Sequence, residues 1–400
     1  MPVEVSRGEY VGGYYRASPF ELVPGYIAGF EPVNIPGGAG ERSARQRFEE
    51  ALLEALQRPP CVVAFSGGRD SSAILAVAAH VATREGLPPP IAATHDFSGD
   101  PWADESEWQE LVIRHVGVQD WVRLRDPDAF EILGERARAG LLAHGVLAPA
   151  MLYVLSSLGD LAASGGTLVT GQGGDEVLGF QRMTGLNFML TVRPRPNAEV
   201  RALLSAAVTP RARRRAAARR AVGAFDSHPW LATPLVSAYQ QQYAEDTSDA
   251  PLRWDRAVER HGGRRNTLAG RHNLECVMAP MDVTVCEPFL DPAFLGAFAS
   301  TGGVRGFLSR TSMMRMLFHD LLPDAVLSRT TKGEFSAVAF GPATRHFMQD
   351  WQGHGLGDLA EVVDWRELRA MALSEQPVFG AQLLVQHVWL ESQGQHAPSE

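Results

Sequence analysis

The run Ser66-Gly67-Gly68-Arg69-Asp70-Ser71-Ser72 brings together what a phosphate chain needs from a protein. Two glycines let the backbone turn tightly and present its N–H groups to anionic oxygens. Ser66, Ser71 and Ser72 add hydroxyl donors. Asp70 alone would repel phosphate, and a carboxylate beside phosphates makes sense where it holds Mg²⁺. A second run, Gly171-Gln172-Gly173-Gly174-Asp175-Glu176, again joins glycine turns to acids. If both runs face one cleft, Asp70 and Asp175 can hold one metal ion from opposite sides. Neither run is the G-x-x-x-x-G-K-[ST] phosphate loop or the G-x-G-x-x-G fingerprint.

The surrounding sequence supplies elements to position these runs. CVVAF (61–65) is a short apolar run and reads as a buried strand that feeds the first loop. SSAILAVAAHVATREG follows as a helix, N-capped by Asp70 or Ser71 and stopped near Gly86. Its N-terminus points at the loop and adds a favourable dipole for anions. IAAT (91–94), WVRL (121–124) and TLVT (167–170) read as further strands, separated by a helix over 103–117 and two more within 129–164. Strands alternating with helices predict an α/β fold with a parallel sheet covered on both faces. Its ligand site should lie beyond the carboxyl ends of the strands, where both glycine-rich runs fall.

Residues 41–56 carry Phe48, Leu52, Leu53 and Leu56 at helical spacing. Residues 1–40 hold aromatics and turn formers and read as a short extension with a strand or two. From about residue 181 the strands vanish, and 181–400 reads as mainly helical, ending in a frayed tail. The expected division is therefore an α/β core over 41–180 that carries both glycine-rich runs, and a mainly helical part over 181–400.

Composition bounds the function class. The chain has 400 residues, 45% of them hydrophobic and 21% charged, as in ordinary globular proteins with a sizeable core. No apolar run approaches a membrane span, and the N-terminus does not read as a signal peptide. Cys61, Cys276 and Cys286 are an odd number without C-x-x-C spacing, which predicts reduced thiols in a cytoplasmic protein. A net charge of −9 argues against nucleic acid as a partner. The arginine-rich segment 193–220 reads either as a solvated helix face or as a docking surface for an anionic partner, such as a carrier protein or leader peptide.

The first run matches the S-G-G-x-D-S pyrophosphate loop of the N-type ATP pyrophosphatases. Followed about a hundred residues later by G-x-G-G-D-E, it resembles the synthetase part of the asparagine synthetase family, which includes β-lactam synthetases and lasso peptide cyclases. Pro288-Phe289-Leu290-Asp291 looks like the family's P-F-L-D, and residues 308–335 look like its K-x-x-L-R…L-P…R-x-K-x-x-F region. The resemblance covers about residues 41–340 and implies ATP and Mg²⁺ as cofactors. Ser66, Gly67, Gly68, Asp70, Ser71 and Ser72 would bind the phosphates. Phe65, Thr170, Gly171, Gly173 and Gly174 would line the nucleotide, and His95 falls where the family contacts adenine or is a plain core histidine. Asp70 and Asp175 would be the metal ligands. Lys332 matches the lysine near the α-phosphate, and Arg315 the arginine of the L-R motif.

The departures carry information too. The family members that hydrolyse glutamine begin with Met-Cys, whereas this chain begins Met-Pro-Val and has no cysteine before Cys61. No built-in ammonia source is expected. The family glutamate of E-A-R-V-P-F-L-D is Thr284 here, with Glu287 beside Pro288 as the candidate carboxylate, which puts aspartate in doubt as substrate. The expected reaction adenylates a carboxylate of a small molecule or peptide and joins it to an amine, with Lys332, Glu287 and Arg315 as catalytic candidates. Two rivals are adenylation of a carbonyl or nucleobase, and a non-catalytic scaffold.

Overall fold

A computed structural model of the chain describes residues 6–36, 42–97, 100–125, 130–179, 181–192, 210, 211, 213, 215 and 228–394. An antiparallel hairpin of β1 (Glu9–Val11) and β2 (Tyr14–Arg16) precedes the main sheet. That sheet holds β3 (Cys61–Ala64), β4 (Ile91–His95), β5 (Trp121–Leu124), β6 (Thr167–Val169) and β7 (Thr284–Cys286). All pairs are parallel, in the order β5-β4-β3-β6-β7.

Alternation along β3 divides the core in two. Val63 faces Phe48, Leu52 and Leu56 of α1 (Ala44–Leu56) and Ile74 and Val77 of α2 (Arg69–Glu85). Val62 faces the opposite layer, with Leu152 and Leu158 of α3 (Leu152–Gly159), Leu274 and Met278 of α4 (Arg265–Met278), and Leu384 and Val388 of α5 (Gln382–Gly394). Successive side chains of a strand point to opposite faces, so a short apolar run can serve two layers at once.

Three expectations change. The helical half is not free of strands: β7 pairs with β6 through Val169↔Cys286. Its three residues, one of them exposed, are too short to show a strand pattern. Residues 6–36 contain the expected strands but are not an extension apart from the core, because Tyr15, Phe20, Val23 and Ile27 are buried in it. The N-cap of α2 is Gly68, with φ −69° and ψ 162°, so Asp70 lies in the first turn and its carboxylate is not used as a cap. The stop at Gly86 is a left-handed C-cap, as its sequence position suggests. Most of the arginine-rich segment lies outside the described residues, while Arg211 and Arg215 pair with Asp249 and Glu245. Among the described residues, no helix is long and apolar enough to cross a membrane.

Candidate active site

β3 runs straight into the first loop. Phe65 N donates to Ala93 O at 2.8 Å, and Phe65 O accepts from Thr94 Oγ1 at 2.7 Å. The chain is thereby tied to β4 up to the point where it must turn. Gly67 makes that turn at φ +84°, and a side chain there would put its Cβ 2.8 Å from Gln109 Cγ. The hydroxyls of Ser66 and Ser71 meet at 3.1 Å, and Ser71 Oγ donates to Gly68 O at 3.2 Å. These bonds preshape an anion cradle at the positive end of α2. Ser66, Gly68, Asp70 and Ser71 line a cavity of about 450 Å³. Gly67 shapes the turn without lining it, and Ser72 is fully buried beneath.

The second loop approaches the first through its glycines. Gly173 has φ +85°, and a Cβ there would fall 2.4 Å from Leu290 Cδ2. At Gly174 a Cβ would fall 2.6 Å from Asp70 Cγ, so only glycine lets the two loops close on each other. Arg310, the first residue of the helix α6 (Arg310–Phe318), then spans both acids. Its Nη2 donates to the two oxygens of Asp70 at 2.8 and 2.6 Å, and its Nη1 to Asp175 Oδ1 at 2.5 Å. Lys332 Nζ donates to Asp175 Oδ2 at 2.7 Å.

This arrangement drives the two carboxyls apart in acidity. Burial pushes Asp70 above the usual carboxylate range, against the opposing charge of Arg310. Burial also acts to raise Asp175, but hydrogen bonds from Lys332 and Arg310 bring it down to about 2. Two convergent carboxylates held by one cation fit Mg²⁺, which is typically bound by one or two carboxylates together with phosphate oxygens and water. Among the described residues no group of three His, Cys, Asp or Glu forms an all-protein cage.

The other end of the cavity is aromatic. Phe97 lies edge to face on Phe130 at 4.6 Å and tilted against Phe335 at 5.3 Å. His95 lies edge to face on Phe130 at 5.4 Å, and its Nε2 is 3.3 Å from Ser157 Oγ. Phe65, His95, Thr170, Gly171 and Gln172 all line the cavity. A planar heteroaromatic base suits such walls.

Two candidates lie elsewhere. Arg315 is half exposed and forms a bidentate pair with Asp324 at 2.6 and 2.8 Å, away from the cavity. Five residues along a helix from Arg310 put it on a different face. Glu287 is buried, accepts from Arg271 Nε at 2.8 Å, and lines a separate cavity beside β7. Burial raises its carboxyl, opposed by Arg271. Sequence reasoning missed Arg310, although Ser309 with Ser312 three residues on is a capping box that sets Arg310 at the start of a helix. It also passed over a compositional signal: of the 37 lysines and arginines, all but Lys332 are arginine.

Residues 43–395 match the family model described as asparagine synthase. The chain belongs to the asparagine synthase family. Its fold, a parallel α/β sheet with a largely helical C-terminal half, is consistent with that membership. The family's general activity is ATP-dependent amide formation. A comparison with curated proteins finds no match.

Proposed function

We propose that this member of the family adenylates a substrate carboxylate and then joins the acyl group to an amine other than glutamine-derived ammonia. One observation carries the reading: the phosphate cradle, Asp70, Asp175, Arg310 and Lys332 converge on a single cavity whose far end is aromatic. The adenine of ATP packs among Phe97, Phe130 and Phe335, and its phosphates lie on Ser66, Gly68 and Ser71. Asp70 and Asp175 would hold Mg²⁺, which when bound would neutralise phosphate charge. The substrate carboxylate attacks the α-phosphorus, and pyrophosphate leaves into the cradle, where Arg310 offers a second cation. The amine then attacks the acyl carbonyl and AMP leaves. Lys332 stabilises the negative charge that develops on the acyl oxygen and the departing phosphate. Positioning and charge neutralisation supply most of the acceleration, with no covalent enzyme intermediate.

Two features support a substrate other than aspartate. Thr284 replaces the family glutamate, and Gln172 faces the cavity. The reading therefore favours tailoring of a peptide or small natural product, closing a lactam or joining two molecules. Exchange of labelled pyrophosphate into ATP, measured across a panel of amino acids, β-amino acids and short peptides with Mg²⁺, tests it. Exchange that depends on one class of acid is the expected result. Exchange with none of them, alongside ATP turnover on a nucleobase, would sink it.

A further inference from the structure

Lys332 reaches the cavity from a loop that has no regular structure of its own, so something else must hold it in place. Arg329, three residues earlier, sends its side chain inward and is 6% exposed. Its Nη2 donates to Glu105 Oε1 at 2.6 Å, and its Nη1 lies 2.5 Å from Glu105 Oε2, a two-pronged pair. Nη1 also donates to the carbonyl of Gly67 at 3.1 Å, and Nε to Thr331 Oγ1 at 3.0 Å. The guanidinium stacks on Trp108, 4.5 Å from its ring centre.

Glu105 immediately precedes the helix Ser106–Val116, whose Gln109 donates to Ser66 O at 3.2 Å. The carbonyls of Ser66 and Gly67 are thus both held from outside, by Gln109 and Arg329. A further strand-like bond, Glu334 N to Trp102 O at 2.9 Å, ties the far end of the Lys332 loop to the same segment.

We infer that Arg329 and Glu105 form a positioning clamp that makes the phosphate cradle and the Lys332 loop a single rigid unit. Both act through the groups they hold, as positioning residues. A buried ion pair is on average a weak source of stability compared with apolar packing. The Gly67 contact gives this one another use: whatever orders the cradle also orders Lys332, and the reverse. The inference rests on the proposed ATP site, and the two can fail separately.

The single lysine makes the test direct, because amine labelling followed by peptide mapping separates Lys332 from the terminal amine. Arg329→Gln keeps Lys332 the sole lysine, Glu105→Gln removes the charge, and Glu105→Asp shortens the arm while keeping it. For each full-length variant, calorimetry gives the affinity for Mg²⁺ with AMP-PNP, and trinitrobenzenesulfonate gives the labelling rate of Lys332. A misplacement of this kind costs on the order of tenfold to a hundredfold. Arg329→Gln and Glu105→Gln should weaken nucleotide binding by a factor in that range and, because the Lys332 side chain is largely exposed and held by its bond to Asp175, raise its labelling rate measurably in step, and Glu105→Asp should do both to a smaller extent. Variants that lose melting temperature but keep wild-type affinity and labelling would reduce the pair to a structural role and overturn the clamp. So would a change in one readout without the other. If the glutamine variants fail to fold, Glu105→Asp alone decides by the same criterion. Wild-type protein that binds no nucleotide would instead refute the ATP site.

Discussion

Lys332 Nζ and Asp175 Oδ2 are hydrogen-bonded at 2.7 Å, and that lysine is the only one in a chain that otherwise uses arginine for every strong cation. An arginine in its place would carry a broad planar head where the site holds a compact ammonium. Loss of one donor to developing charge typically costs about 2.7–4 kcal/mol, or roughly a hundred- to a thousandfold in rate. Lys332→Ala and Lys332→Arg should therefore form acyl-adenylate but make amide slowly. A single-turnover assay following the AMP ester and the amide separately checks this. Equal losses in both steps, or wild-type amide formation, would show that the role is misassigned.

Asp70 and Asp175 should be jointly required. Asp70→Asn and Asp175→Asn are each expected to abolish ATP-dependent pyrophosphate release while retaining a cooperative thermal transition. Gly174→Ala should act on the same pair indirectly, since its Cβ would fall 2.6 Å from Asp70 Cγ and must displace that carboxylate. Its activity is expected to fall at least about tenfold, in line with the cost of misplaced groups. Full pyrophosphate release from either asparagine variant would remove the shared-metal reading.

Acidity offers a separate check. A divalent cation needs both carboxylates ionised, and Asp70 has the higher pKa of the two because of burial. Asp175, held at about 2, stays charged well below that point. Affinity for Mg²⁺ with AMP-PNP should therefore be complete above the pKa of Asp70 and fall as pH drops through it. Arg310→Met removes the main opposition to burial and leaves only the weaker pull of Arg69, so the midpoint should move to higher pH. Calorimetry across a pH series measures it, and a midpoint unmoved in Arg310→Met would contradict the assignment.

Arg310 and Arg315 lie on one helix and should behave oppositely. Arg315→Ala breaks only an exposed pair with Asp324, so activity and melting temperature should stay at wild-type values. Arg310→Ala should lower pyrophosphate release strongly, because the leaving pyrophosphate loses the second cation and the two site carboxylates lose the group that orients them. A larger loss at Arg315 would return the motif arginine to the mechanism.

The 400-residue chain is expected to release no glutamate from glutamine, with or without ATP. Steady glutaminase activity in the purified chain would overturn the reading of its nitrogen source.

What the sequence made legible was local. The strand–loop–helix around Ser66–Ser72 shows itself because apolar runs, glycines and a helix start lie next to one another in the chain. The Gly171–Glu176 loop is visible for the same reason. Arg329 and Glu105 are 224 residues apart, and no pattern in either segment announces that they meet. Phe97, Phe130 and Phe335 are ordinary phenylalanines until the fold gathers them. Arg315 was favoured because it follows the motif spacing, yet helix phase, not motif, decides which arginine faces the acids. β7 escaped notice because its neighbours, rather than its own three residues, make it a strand.

β7 also bears on how this protein can be divided. The strand is contributed by residues more than a hundred positions beyond β6, yet Thr170 N, at the threshold of the second loop, donates to Cys286 O at 2.9 Å. A chain ending near residue 180 would keep both glycine-rich loops but leave β6 as an open edge, its N–H and C=O groups facing water or another molecule. Such edges recruit strands from neighbouring chains. The fragment that looks like a minimal nucleotide-binding unit should for that reason self-associate when isolated, and adding residues up to Leu290 in trans should compete with that association.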